Sequence, residues 1–246
     1  MQELLFFQLV APLGAFGGVA VGERRETMAR PSHSALAGLL AAALGLERAD
    51  QRQAEFSAGL AFAARRDNLG PLLADYHTAQ TPPARKGKNW ATRREELEDK
   101  VNLNTILSRR DYRTDCAFTI ACRALETSLF ALPEMEAALR RPVFTLYLGR
   151  KSCPLGLPPD PLIAEAQTLE AAFAAYDAGK TRRPAFEDWL DERGEISCDA
   201  QLREFASSAA VRCETRRDVV VDRRMWQFDL RDEFILSPGK SAEVAK

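Results

Sequence analysis

Histidine is almost missing from this chain: His33 and His77 are the only two in 246 residues. The five cysteines (Cys116, Cys122, Cys153, Cys198 and Cys213) form no CxxC pair. Few imidazoles and scattered thiols leave no ligand set for zinc, and no cofactor is expected. An odd number of cysteines points instead to unpaired, mostly buried thiols in a reducing cytoplasm. Long hydrophobic runs are missing too. The longest, Ala35 to Leu46, falls short of the about twenty residues that a bilayer span needs, so no membrane partner is expected. The formal net charge of -1 excludes a binder that works by bulk positive charge. Motifs of common enzyme chemistry are absent as well: there is no G-x-S-x-G elbow, no H-E-x-x-H, and no G-x-G-x-x-G after the first apolar run. Lys151-Ser152 follows Gly149, but a phosphate loop needs glycine directly before the lysine and another five residues earlier. Those positions hold Arg150 and Thr145, so that reading fails.

What is present is an uneven distribution of charge. From Pro82 to Lys151 there are fourteen Lys and Arg against nine Asp and Glu; from Ser152 to Ala210 there are five against eleven. A basic middle followed by an acidic stretch fits a polyanion-binding part joined to a protein-facing part, or simply two solvated faces. With 46% apolar residues, the chain has material for a substantial core.

Apolar periodicity gives the organisation. Leu4 to Val10 reads as a buried strand ending at Ala11-Pro12-Leu13-Gly14, and Gly14 to Gly18 allows tight turns. Pro31 and Ser34 open a helix whose Leu36, Leu39, Leu40 and Leu44 share one face, with Gly45 as its stop. Leu60–Arg66 and Gly70–His77 read as further strands, and the chain re-enters the core at Cys116–Cys122. Pro133–Leu139 is a short helix with proline in its first turn, and Val143–Tyr147 reads as a fourth main strand. This order, strand-helix-strand-strand-helix-strand, predicts an α+β, ferredoxin-like (RRM-like) βαββαβ domain.

Between Thr81 and Arg109 the chain has few apolar anchors and carries Arg85, Lys86, Lys88, Arg93 and Arg94. A projecting hairpin is the natural reading, with disorder as the alternative. Pro158-Pro159-Asp160-Pro161 reads as a linker to a small β-rich carboxyl-terminal domain, in which 218–222 and 226–230 alternate like strands. The expected division is 1–156, 157–236 and a disordered tail, 237–246.

Candidate site residues follow from the chemistry of phosphates and unpaired bases. Arg109, Arg110 and Arg113 flank Tyr112 at the root of the basic arm, and guanidinium forks and aromatic planes grip single-stranded RNA. Arg150 and Lys151 close a glycine turn and invite the same reading; a solvated strand edge accounts for both groups without a ligand. Arg30, His33 and Ser34 stand at the mouth of the first helix, where a phosphate could rest on free amides, and capping by Ser32 or Ser34 explains the same residues. Tyr76-His77 offers a general acid or base for RNA cleavage, or only a polar strand end.

Several stretches taken in order carry a resemblance. They are 11–17 (APLGAFG), 30–34 (RPSHS) with 38–40, 75–78 (DYHT), 110–112 with 116–118, 141–142, 147–155 (YLGRKSCPL) and 216–219. Together they resemble the CasD subunit family of type I-E CRISPR Cascade complexes, within the repeat-associated (RAMP) RNA-binding superfamily. The resemblance covers nearly all of residues 1–156. It implies a ferredoxin-like domain with an inserted β-hairpin thumb at about 81–113, and a small carboxyl-terminal domain. It implies a non-catalytic antiviral-defence role: capping the 5′ handle of the guide RNA (crRNA), and contacting the CasC backbone subunit and the large CasA subunit. Other Cascade subunits, and target DNA through the complex, are further implied partners. Arg110 would touch the RNA near the handle–spacer junction, and Arg150 and Lys151 would add handle contacts. His33 stands where relatives commonly carry Lys or Arg. The alternative function is metal-independent cleavage of repeat RNA, as in the type I-C relative, with Tyr76 and His77 as the catalytic suspects.

Overall fold

The computed structural model describes residues 1–18, 20, 22–84, 87, 89–181, 190, 194–207 and 210–236. The expected tail, 237–246, and Arg85, Lys86 and Lys88 of the basic arm lie outside the described residues. Strand β1 (Gln2–Gly14) contains the apolar run, and its two sets of alternating side chains are both buried. Leu5, Phe7 and Leu9 face α1 (His33–Ala43), while Leu4 and Phe6 face the opposite layer. A strand covered on both sides is why the run is continuous rather than alternating.

Helix α1 forms where Ser32 caps it: the hydroxyl accepts from the Ala35 amide at 3.1 Å, and no β-branched residue interrupts the helix. Leu36, Leu39 and Leu40 are buried against the sheet, and each such side chain stabilises by about 1.5–3 kcal/mol. Short α2 (Gln53–Ala58) leads into β3 (Leu60–Asn68), and β4 (Leu72–Thr81) follows. After α3 (Arg93–Glu96) comes β5 (Asn104–Ala124), whose 21 residues make it the spine of the sheet. One edge of β5 pairs with β1 and, further out, in parallel with the dipeptide strand β2 (Arg24–Arg25); the other pairs with β3 and then β4. The 72–81 and 104–113 stretches thus form an antiparallel ribbon beyond the sheet proper.

Helix α4 (Leu132–Arg140) forms where the proline start predicts it, and it packs beside α1. The expected fourth strand is not formed. The Val143 amide donates to the Ala43 carbonyl at 3.0 Å and the Phe144 amide to Ala42 at 3.2 Å. This segment therefore satisfies the open carbonyl end of α1 instead of a sheet edge, and only an isolated bridge between Tyr147 and Pro154 remains. The strand beside β1 is instead β6 (Leu162–Ala166).

The sheet runs unbroken past residue 156. Gln8 donates through its amide to the Pro159 carbonyl at 2.7 Å and through its side chain to Pro158 at 2.9 Å, so the proline stretch lies along β1. Helix α5 (Leu169–Gly179) then covers the second face, where Phe6 meets Phe173 edge-on at 5.1 Å and stacks with Tyr176 at 5.4 Å. The chain continues through β7 (Ile196–Asp199), α6 (Ala200–Arg203), β8 (Ala210–Asp222) and β9 (Gln227–Leu236). Among the described residues the sheet has nine strands, with the path β6-β1-β5-β3-β7-β9-β8 and with β2 and β4 on β5 off that path, and it is mostly antiparallel. No helix among the described residues is long and apolar enough to cross a membrane.

Cys213 is the exposed thiol; the other four are buried. Burial pushes Cys116 and Cys198 up to about 12 and also raises Cys122. A thiolate is the reactive form. Cys213 is raised too, by desolvation and by Asp232 and Glu214, so exposure sets it apart: the native protein should show one accessible thiol toward a neutral disulfide reagent, Cys213, and five after unfolding. Two or more accessible thiols in the native protein would contradict this packing.

Candidate nucleic-acid interface

The outer half of β5 displays its basic residues on two faces, because neighbours on a strand project oppositely. In parallel register, Arg24 lies beside Arg109 and Arg25 beside Arg110. On one face Arg24 and Arg109 share the carboxylate of Asp111, each at 3.6 Å. Asp111 is only 2% exposed, and its Oδ1 has no hydrogen bond. A buried carboxylate without hydrogen bonds is costly unless cations surround it, so these arginines hold the ribbon's base together.

The other face differs. Arg110 donates to the Ser108 hydroxyl at 3.3 Å, and Arg25 to the carbonyl of Arg24 at 3.1 Å. Asp75 is opposite Arg110 in register, but no ion pair joins them. Tyr112, expected to stack on bases, is only 7% exposed. Its ring instead lies under the Arg150 guanidinium, 4.6 Å from Cζ to centroid. Tyr112 belongs to the core beside Phe118 and Cys116, which corrects the stacking role. Arg150 also donates to the carbonyls of Asp111 at 3.0 Å and Arg25 at 2.9 Å, tying the 148–151 turn to both strands. Lys151 is exposed at the end of that turn, and half-buried Arg113 reaches only the Gly70 carbonyl, at 3.4 Å.

Among the described residues, Arg25, Arg110, Arg113, Arg150 and Lys151 make no ion pair with a carboxylate. Arg25 and Arg110 are neighbours in register and Arg150 reaches both strands from the 148–151 turn, whereas Arg113, two residues from Asp111, projects to the opposite face. Backbone carbonyls orient three of these guanidiniums without cancelling their charge, which leaves them suited to phosphate oxygens. Arg110, Arg113, Arg150 and Lys151 were candidates from the sequence; Arg25 and Arg24 were not. The only local signal was an Arg-Arg pair after a glycine-rich stretch; strand pairing gives it meaning.

Arg30 and His33 lie in a different place. Arg30 donates from Nε to Glu233 at 2.6 Å and also pairs with Glu214. The His33 amide donates to Asp218 at 3.0 Å, so a carboxylate already occupies the helix mouth where a phosphate was expected. The His33 ring donates from Nδ1 to Asp199 and from Nε2 to the Ser57 carbonyl, both at 3.0 Å. A carboxylate and a carbonyl are both acceptors, so both ring nitrogens carry protons. Burial pulls the imidazole down, but Asp199 and the Ser57 carbonyl outweigh it and raise the His33 pKa. Asp199 is correspondingly lowered: burial pushes it up, and the hydrogen bond and charge of His33, with Arg231, overcome this. Arg231 bridges Asp199 at 2.7 Å and Asp218 at 2.7 Å, and Arg216 reaches Glu233 at 3.2 Å. This enclosed network binds α1 to β7, β8 and β9. Its cations face carboxylates rather than solvent, which corrects the phosphate role of Arg30 and His33. Half-buried Ser34 lies 3.2 Å from the Ser32 hydroxyl, beside the cap.

Tyr76 and His77 are exposed on β4, with Tyr76 opposite Arg109 and His77 opposite Ser108. As consecutive strand residues they project to opposite faces of the ribbon. His77 Nδ1 is 3.9 Å from Asp75, a long solvated pair. Among the described residues no cluster of His, Cys, Asp and Glu could hold a metal ion.

The model of the family described as CRISPR-associated protein (Cas_Cas5) matches residues 4–231. The chain is 33% identical over 159 residues to the CRISPR system Cascade subunit CasD of Escherichia coli (strain K12), covering 64% of this chain and 70% of that one. It is similar in fold to a chain of a CRISPR RNA-guided surveillance complex, with TM-score 0.61 and 23% identity over 95% of this chain and 89% of that one. A crystal structure of a Cas protein matches with TM-score 0.57 and 21% identity over 96% of this chain and 95% of that one. With a family model running from β1 into β9 and a CasD relative at this identity, the chain belongs to the CRISPR-associated Cas5 family and is of the CasD type.

Proposed function

We propose that this protein is a non-catalytic guide-RNA-binding subunit of a type I-E Cascade complex, capping the 5′ handle of the crRNA. The observation that carries the reading is the group of carboxylate-free cations at the ribbon's base: Arg25, Arg110, Arg150 and Lys151, with Arg113 on the opposite face. Phosphate neutralisation there supplies affinity, and base pairing by the guide supplies target specificity. Arg109 is exposed at the same base and, with Asp111 already beside it, is a weaker contact.

We read β1, α1, β3, β5, α4 and β6 as the ferredoxin-like βαββαβ module, with β6 as its fourth strand. The antiparallel neighbours β6-β1-β5-β3 support this. In this reading the ribbon of β4 and outer β5 is the thumb. Its exposed Leu72, Leu73, Tyr76 and Ile106 suit a protein surface, that of the CasC backbone subunit. CasA docks nearby, and target DNA reaches the protein through the assembled complex. The part after the module, including β7, β8 and β9, braces α1 through the buried charge network. The divergence of Tyr76 and His77 across the ribbon weighs against the nuclease alternative.

The test is a pull-down of tagged protein co-expressed with its neighbouring genes and a CRISPR array, with sequencing of bound RNA 5′ ends. Guide-length RNAs sharing one handle, with co-purifying subunits, are expected; heterogeneous RNA without partners would sink the proposal. In purified protein, Arg110→Ala should weaken handle binding and reduce the slope of log affinity against log salt by about 0.7. An unchanged slope would remove Arg110 from the phosphate contacts.

A further inference from the structure

We propose a second nucleic-acid contact, away from the hairpin base: a docking site for one nucleotide of an unpaired strand, built from Arg48, Arg223 and Trp226. Trp226 lies in the turn between β8 and β9 with φ of +53°, and it is 57% exposed. The Arg48 Cζ is 4.2 Å from its ring centroid and the Arg223 Cζ is 5.4 Å away. Phe228 adjoins the indole at 5.9 Å between centroids, and Tyr147, 37% exposed, influences Arg223 from the neighbouring segment.

The charge arrangement points to the ligand. Arg30, Arg65, Arg216 and Arg231 are each paired with carboxylates when the fold encloses them. Among the described residues, Arg48 and Arg223 make no such pair. Arg223 is laid against α1 at Gly38, where a Cβ would come within 2.9 Å of its Nη2. Burial and the positive charge of Arg48 lower the Arg223 pKa, as happens when like charges are held together without an anion. A phosphate supplies the missing charge. An exposed indole and half-exposed tyrosine beside two guanidiniums supply the planes on which bases stack. RNA and DNA single strands share this chemistry. The site needs no handle preference, so it stands or falls apart from the handle-capping reading.

The test uses the full-length protein with fluorescent oligouridylate and oligothymidylate of about twenty nucleotides, titrated by anisotropy across salt. Trp226→Asn keeps a residue that tolerates positive φ while removing the indole. It should weaken binding of at least one polymer by about 5- to 150-fold at an unchanged melting temperature. Arg48→Gln with Arg223→Gln should lower the salt slope by up to about 1.4. Loss restricted to the uridylate assigns the site to RNA, and loss restricted to the thymidylate to DNA; either supports the proposal. Arg110→Ala in the same assay reads the hairpin base separately. Unchanged affinity and slope for both polymers would overturn the site. So would intact affinities in Trp226→Asn with loss of co-purifying protein subunits, because the patch would then be a protein contact.

Discussion

Replacing Asp199 by alanine is expected to cost about 3–5 kcal/mol of stability and lower the melting temperature by about 6–20 °C. Three donors converge on this carboxylate: His33 Nδ1 at 3.0 Å, the Phe62 amide at 2.8 Å and Arg231 Nη1 at 2.7 Å. Alanine would strand a buried imidazolium and a largely enclosed guanidinium, and an uncompensated buried charge is the expensive outcome. The loss is large against the about 5–15 kcal/mol that separates folded from unfolded domains. The same network sets the pH response, with two limbs of opposite sign. Because the folded pKa of His33 is raised above 6.5, its contribution is full below that value and fades as pH rises through the folded pKa. Because that of Asp199 is lowered below 3.8, its contribution is full above that value and is lost as pH falls through the folded pKa. Urea denaturation of the wild type across pH should show stability falling on the alkaline side, and Asp199→Asn should flatten that limb. A cost under about 1 kcal/mol for Asp199→Ala would mean that the network is not enclosed as described.

Gly149→Ala is the second large effect, about 2–5 kcal/mol. Gly149 has φ of +82°, and a Cβ there would lie 1.7 Å from the Ala15 carbonyl oxygen. The left-handed conformation alone costs a side-chain-bearing residue about 1–2 kcal/mol. The overlap is with backbone rather than a flexible side chain, so the turn must move. It is anchored where the Ala15 amide donates to the Leu148 carbonyl at 3.1 Å and the Leu148 amide to Cys153 at 2.8 Å. Moving it displaces Arg150 from Tyr112 and from the carbonyls of Asp111 and Arg25, so oligonucleotide binding should weaken along with stability. Gly18→Ala, with nothing within 4 Å of the added atom, is the control and should leave both unchanged. A Gly149→Ala protein with normal urea midpoint and normal affinity would refute the close approach to Ala15.

Much of the frame was legible in the chain. Leu4 to Val10 reads as a buried strand and the leucine spacing after Ser32 as a helix, because each pattern is written in neighbouring residues. The helix beginning near Pro133 was legible for the same reason; Gly70–His77 was expected as a main strand, but 72–81 pairs with 104–113 in the ribbon instead. Val143–Tyr147 was misread as a strand because an apolar run does not record which backbone acceptors lie near it. Those acceptors are the last carbonyls of α1, about a hundred residues earlier in the chain. The YLGRKSCPL stretch and its companions carried the family, since residue identity in order survives without any knowledge of contacts.

The division between free and neutralised arginines was not legible. By itself Arg30 is as basic as Arg110, yet its partners are Glu214 and Glu233, 184 and 203 residues away. His33 looked like a phosphate ligand until β7 and β8 brought Asp199 and Asp218 to it. Tyr112 looked like a stacking platform until the 148–151 turn laid Arg150 across its ring. The sequence by itself determined the first strand, the first helix, the helix after Pro133 and the family, because periodicity and motif order are local properties. Only the tertiary structure decided which cations remain available for a phosphate, because charge compensation is a property of what lies within a few ångströms in space.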